Sequence, residues 1–288
     1  MKRTPNTLGI KLVVLLVLLG LMPHLSAQLI YKLNTKKTSY LLVCSPTTSS
    51  DFFIQLKPIF KIYNEAEVVV SQACETDSST QQLMMDHAMM KTSLIHYLND
   101  TQTQTIDSLT QSLLQLSLSE LSMLEPSMLS QMLVEALNQK LYPLQDLNQT
   151  YTANYFPYVA QQIDHKPVIG LSSIEDIIHK IKQNQTIAQQ NETLIQLCND
   201  QEAMATFITQ AHEAYQAQDM GALDSLYAHT TLRFFNQQIN EKTRNERWGE
   251  KIKTLGTDHR LLVVINVEDA VGQEGLLEIL KAQKLLSK

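Results

Sequence analysis

The sequence contains no Cys-x-x-Cys pair, no glycine-rich phosphate loop, no G-x-S-x-G elbow and no dinucleotide fingerprint. Thiol-redox chemistry, a zinc ribbon, nucleotide cradling and a hydrolase of the serine-elbow type therefore find no support. The nearest approach to a zincin motif is His212-Glu213, but Gln216 stands where the second His would fall. His87 and His96 are nine residues apart and do not fall cleanly on one helical face. There is no fixed-period repeat and no low-complexity linker. Basic residues are few: 23 against 29 acidic ones, a formal net charge of -6, with no Lys/Arg cluster. A nucleic-acid partner is excluded on that balance, because such binding needs a basic face to release phosphate counterions. Cysteine is scarce too, with only Cys44, Cys74 and Cys198. An odd count leaves at least one thiol unpaired in an exported protein. Cys44 and Cys74 each follow an apolar run and would bridge only if those runs are neighbours; otherwise all three are small buried side chains.

The chain does have a marked N-terminus. Lys2, Arg3 and Lys11 precede or enter an apolar stretch from Leu12 to Met22, and Leu25-Ser26-Ala27 follows. A basic start, a short apolar run and a small-residue end predict a secretory signal over residues 1–27. The run is shorter than the roughly 20 residues that span a bilayer. Its removal takes away three basic and no acidic residues, leaving 20 against 29, about -9. The remainder, 28–288, is long enough for one large α/β domain with a real core, and no transmembrane segment is expected in it. Export would place it in the periplasm or outside the cell.

Strands are predicted over Gln28–Leu33, Ser39–Cys44, Val68–Val70, Val168–Leu171 and Leu261–Val267, from short apolar runs, of which Val68–Val70 is wholly β-branched. Between them lie helical patterns: 52–66, 78–98, 108–140 with a break at Glu125-Pro126, 151–163, 174–182, 201–216, 223–227, 233–255 and 275–284. Ser172 and Glu175 have capping-box spacing. Met84, Met85, Met89 and Met90 form two pairs read as flexible core filling, with an exposed groove for a partner as the alternative. Strands separated by helices imply an α/β sheet with helical cover and a long helical insertion.

Five short motifs stand in order along this framework. Ser39-Tyr40-Leu41-Leu42 leads to Pro46; Ala66-Glu67-Val68-Val69-Val70-Ser71 leads to Gln72; Lys166-Pro167-Val168-Ile169-Gly170-Leu171 leads to Ser172. Arg244-Asn245 is followed by Trp248, and Asp269 precedes Gly272-x-x-Gly275. This order resembles the TraB/GumN family, which includes the Tiki metalloproteases, over about Tyr31 to Leu285. The resemblance implies a fold of the EreA/ChaN-like group, a central β-sheet with helical cover, and a metal-assisted hydrolytic site. At four motif positions, however, the family's His or Glu is replaced: by Pro46 (or Thr47 with a shift of one), by Gln72 (or Ser71), by Ser172 and by Asp269.

A hydrolytic metal site needs imidazole or carboxylate ligands, an open position and a base. Proline offers no ligand, glutamine keeps the shape of Glu without its charge, and serine is a poor ligand for a divalent ion. The substitutions therefore predict a degenerate site with no metal and no other cofactor, in a protein that binds or supports rather than hydrolyses. The alternative is a divergent hydrolase whose ligands have moved to Asp269, Glu67, Glu75 or Glu268. Arg244, with Asn245 and Asp269, is the retained candidate for binding: either a clamp for an anion or substrate carboxylate, or an interior ion pair between Arg244 and Asp269. Nothing in the sequence names a partner.

Overall fold

The computed structural model describes residues 29–72, 85–146, 149–182, 185–238 and 242–286. The signal expected over 1–27 lies outside these residues, as do Glu75, Met84 and Cys74, the other half of the bridge weighed with Cys44. Cys44 and Cys198 are both buried free thiols. Burial pushes Cys198 up to about 12 and Cys44 higher still, so both behave as small apolar groups.

The architecture is α/β, as the alternation of strand and helix patterns implied. Five strands form one sheet: β1 (Ile30–Leu33), β2 (Ser39–Cys44), β3 (Val68–Ser71), β4 (Val168–Gly170) and β5 (Leu261–Asn266). Their order is β1-β2-β5-β3-β4. β1 pairs antiparallel with β2, while β2, β5, β3 and β4 run parallel. The central strands read Leu-Leu-Val-Cys, Val-Val-Val and Leu-Leu-Val-Val-Ile, and nearly every one of these side chains is buried. Unbroken apolar strands are what a parallel sheet covered on both faces requires. Among the described residues no helix is long and apolar enough to cross a membrane.

The helices are α1 (Ile59–Glu65), α2 (Asp100–Leu114), α3 (Leu118–Leu121), α4 (Pro126–Leu141), α5 (Thr152–Tyr158), α6 (Ile174–Lys182), α7 (Ile187–Asn199), α8 (Gln201–Gln216), α9 (Met220–His229), α10 (Arg233–Gln238), α11 (Lys242–Asp258), α12 (Val267–Ala270) and α13 (Leu276–Ala282). Most of them fall between β3 and β5, on either side of β4.

Several elements depart from the sequence reading for identifiable reasons. The helix expected over 52–66 is a 3-10 turn, Ser50–Ile54, followed by α1, which starts only after Pro58. Proline has no N–H and cannot sit inside a continuous helix at that point. The pattern at 108–140 is a longer α2 beginning at Asp100, closed by Gln115 at φ 58, then α3, and then α4, which starts at Pro126. The pattern at 233–255 is two helices, α10 and α11. α7 was not expected at all. Of the helix expected over 78–98, residues 85–88 form one turn and Leu94–Tyr97 a 3-10 turn. Between them the backbone leaves helical pairing: the N–H groups of Met90 and Leu94 donate to the carbonyls of Met123 and Ser122, both at 2.7 Å. Met85 and Met89 are exposed, so neither fills the core, whereas Leu109, Leu118 and Leu121 are buried.

The cap of α6 is also shifted by one residue. Ser173 Oγ accepts from the Asp176 N–H and Asp176 Oδ2 accepts from the Ser173 N–H, both at 3.1 Å. The capping box is therefore Ser173/Asp176 rather than Ser172/Glu175, which releases Ser172 for another contact.

Candidate functional site

The parallel strands all deliver their C-terminal ends to one edge of the sheet, where ligands of open α/β sheets bind. Pro46, Gln72, Ser172 and Asp269 follow β2, β3, β4 and β5 respectively, so the fold brings the four motif positions to that one edge.

Three of the four join a single polar chain. Gln72 Nε2 donates to Asp269 Oδ2, and Arg244 Nη2 donates to Asp269 Oδ1. Arg244 and Asp269 are almost wholly buried, so this is a desolvated ion pair, and the interior tie weighed from sequence is the arrangement found. The Arg244 guanidinium lies over the Trp248 ring, 4.5 Å from its centroid. Trp248 Nε1 donates to Ser172 Oγ at 3.1 Å. Asn245, next to Arg244 on α11, accepts from the guanidinium at 3.4 Å and donates to the Glu274 carbonyl at 2.7 Å. It thus fastens α11 to the loop that follows Asp269. Gln72, Asp269, Arg244, Trp248 and Ser172 therefore hold one another, with Asn245 anchoring the far side.

The framing residues of these motifs have structural work of their own. Lys166 Nζ donates to the carbonyls of Tyr63, Asn64 and Ala66 at 2.7, 3.3 and 3.1 Å, closing the C-terminal end of α1. Gly272 has φ 91, a backbone region that side chains rarely adopt, and its N–H donates to Asp224 Oδ1 at 2.7 Å. A Cβ on Gly275 would lie 2.1 Å from the Val271 carbonyl oxygen, a backbone atom that cannot swing aside.

Pro46 belongs to a different neighbourhood. The loop after β2 is pinned from α5: Thr152 Oγ1 donates to the Ser45 carbonyl at 2.8 Å and accepts from the Ser45 N–H at 2.9 Å. His212, on α8, brings Nδ1 to 3.2 Å from Thr47 Oγ1 and stacks on Tyr142, with ring centroids 3.7 Å apart. Burial lowers the His212 pKa, opposed by its bond to the Thr47 loop and by Glu213. Beside this loop opens a cleft of about 270 Å³ at the ends of β2 and β5. Pro46, Asn138, Phe207, Tyr227, Phe235 and Glu268 are among its walls. Burial, with the Glu268 and Asp269 carboxylates nearby, holds the Tyr227 phenol well above its usual range.

Asn138 was missed from the sequence. It lies four residues after Val134 and three before Leu141, on the apolar side of α4, and that placement of an amide was the available signal. It is only 8% exposed, and its Oδ1 has no hydrogen-bond partner among the described residues.

The donor set at the motif positions does not suit a divalent metal. Pro46 has no donor atom, Gln72 and Ser172 present neutral groups already bonded, and both Asp269 oxygens accept from neighbouring side chains. Among the described residues no three His, Cys, Asp or Glu side chains gather as a metal-holding group. Of the relocated ligands considered, Glu67 is corrected by the structure: it precedes β3, at the opposite end of the strand, and pairs with Arg260 at 3.2 Å. Glu268 does reach the cleft, and Glu75 lies outside the described residues.

No curated protein and no solved structure matches this chain. The model of the TraB/PrgY/gumN family matches residues 29–286, which takes in all five strands and every motif described above. The motif glycines, the Lys166 clamp and the Arg244–Asn245 anchor all lie within the matched span, and the chain belongs to the TraB/PrgY/gumN family.

Proposed function

We propose that this chain is an exported TraB-family protein that carries out no metal-dependent hydrolysis and serves instead as a binding protein. The observation that carries the reading is the closed chain from Gln72 through Asp269, Arg244 and Trp248 to Ser172. Side chains at three of the positions where the family's ligands and base are expected are each bonded to a neighbouring side chain, Gln72 and Asp269 to each other and Ser172 to Trp248, and the fourth is proline. A carboxylate neutralised by a buried guanidinium and an amide is a weak ligand and a weak base, because a bound cation would have to displace both. Export, to the periplasm or the extracellular space, rests on the basic start, the apolar run and the small-residue end of residues 1–27.

The test is metal content and metal response. The full chain, loaded with Zn, Mn or Co and then dialysed, is expected to hold no stoichiometric metal by elemental analysis and to show no shift in Tm with added ion. Saturable binding of one ion per chain that Asp269→Ala abolishes would overturn the reading. That result would favour a divergent hydrolase using Asp269 and Glu268, adjacent residues on α12 of which Glu268 lines the cleft beside Thr47.

A further inference from the structure

The methionines near residues 85–90 take part in neither the polar centre nor the cleft. Among the described residues Met85 is 57% exposed, Met89 44% and Met123 38%, whereas Met204 is 1% exposed. The three exposed ones meet on one seam. Met85 opens the helical turn at 85–88, and Met89 follows it four residues on, the spacing of neighbours on one helical face. Met89 stands opposite Leu124 in an antiparallel bridge, beside Met123. Main-chain bonds close the seam: the Met90 and Leu94 N–H groups donate to the Met123 and Ser122 carbonyls at 2.7 Å, and the Glu125 N–H donates to the Ala88 carbonyl at 2.8 Å. Met90 and Leu124 are half-buried and pack from the seam onto the core.

Side chains left this open add little to the core. What sets them apart is sulfur that a solute can reach. Two-electron oxidation of a thioether gives a sulfoxide, which turns a flexible apolar side chain into a polar one. The thiols of Cys44 and Cys198 do not compete, because both are buried. Across an antiparallel pair, facing side chains help hold the two segments together. An S=O group on Met89 or Met123 replaces apolar contact at the seam with a dipole that has to be hydrated.

We propose that this seam is a methionine-oxidation site: a hydroperoxide converts Met85, Met89 and Met123 to sulfoxides, and the sulfoxides loosen the docking of residues 88–94 on 122–125. Each sulfur attacks one peroxide oxygen, so that an S–O bond forms as the O–O bond breaks. The sulfur loses two electrons and the peroxide gains them. The transferred oxygen gives its proton to the departing oxygen, which leaves as water, or as an alcohol from an organic hydroperoxide. The site is independent of the reading of the chain as a binding protein.

The full chain treated with increasing hydrogen peroxide, mapped by peptide mass spectrometry and followed by amide hydrogen exchange, tests it. Met85, Met89 and Met123 are expected to oxidise at least about tenfold faster than Met204, in line with their exposure. Peptides covering 88–98 and 120–126 should then exchange several-fold faster, with β2 and β5 unchanged. The combined variant Met85→Leu, Met89→Leu and Met123→Leu keeps the apolar volume and should hold the slow exchange with or without peroxide. Oxidation of the three no faster than that of Met204 would overturn the proposal. So would sulfoxides at the three with unchanged exchange, or an equal rise in exchange in the leucine variant. If the leucine variant exchanges fast before any peroxide is added, repair of the oxidised natural chain decides. Methionine sulfoxide reductases with a thiol return sulfoxide to thioether and water as the thiol becomes a disulfide. Return of slow exchange supports the site, and persistent fast exchange overturns it.

Discussion

At the ends of β3, β4 and β5, Gln72, Ser172 and Asp269 are tied together through Arg244 and Trp248. At the ends of β2 and β5, a few residues away along the same edge, lies a cleft with aromatic and acidic walls, and Asn138, one of its lining residues, buries an oxygen with no hydrogen-bond partner among the described residues. Both regions occupy the part of an open parallel sheet where ligands bind. A polar group that finds its partners inside the fold adds specificity and rigidity; one left without them costs stability. The contrast separates a polar centre that ties the strand ends together from a neighbouring wall that carries an unpaired acceptor.

The largest effect is expected from opening the closed region. Asp269→Ala removes the carboxylate from a buried guanidinium, and breaking such a pair from one side costs about 3–5 kcal/mol. Urea denaturation should show that loss, while Arg244→Met combined with Asp269→Leu should recover most of it, since the pair is then replaced by apolar volume. A single-variant cost no larger than a surface substitution would mean that the centre is not the structural tie described here. The cleft should respond in the opposite direction. Asn138→Leu exchanges an unpaired buried acceptor for an apolar group with better helix propensity, so a gain of about 1–2 kcal/mol is expected in the same assay. A loss of stability would show that Asn138 supports the fold and would erase the contrast.

A smaller effect separates the two halves of the polar chain. Trp248→Phe keeps an aromatic ring beneath Arg244 but removes the Nε1 donor to Ser172, at a cost of about 0.5–1.5 kcal/mol for one hydrogen bond. Adding Ser172→Ala to that variant should cost little more, because the two groups share one interaction. A double-mutant cycle measures that sharing directly. Additive losses would mean that Ser172 has a second role.

Much of the scaffold was legible in the sequence. The runs Leu41-Leu42-Val43-Cys44 and Leu261 to Ile265 read as buried strands, and the order of the five motifs already pointed to the family that the chain matches. The pairing of Arg244 with Asp269 was one of two readings the sequence left open, the one suggested by the cost of burying either charge alone. Other features were not legible, for physical reasons. The cap of α6 moved by one residue because Ser172 and Ser173 are chemically equal candidates, and only the approach of Trp248 distinguishes them. The turn at residues 85–97 breaks because its N–H groups reach carbonyls in 122–123, a contact between segments about 30 residues apart. The cleft was invisible because α4, α5, α8, α9, α10, α12 and the loop after β2 each supply part of its wall. No local pattern marks a surface assembled from so many segments; only the isolated amide on the apolar side of α4 did.

His212 stands beside the loop after β2 and gives the smallest of the expected effects. Its imidazole is half-buried between Tyr142 and the Thr47 loop, and desolvation lowers its pKa in the folded chain below the unfolded value of about 6.5. A base with a depressed folded pKa binds fewer protons when folded than when unfolded in the interval between the two values. Its contribution to stability is therefore complete above about pH 6.5 and is lost as pH falls from there toward the folded pKa. Chemical denaturation at a series of pH values from 7.5 to about 5 should show this decline, and His212→Gln should flatten it while leaving the steeper acid loss from paired carboxylates at lower pH. The same titration followed by the imidazole proton resonances should give an apparent pKa below the ordinary range. If the resonance instead titrates at or above the ordinary imidazole range, burial between Tyr142 and the Thr47 loop does not govern this group.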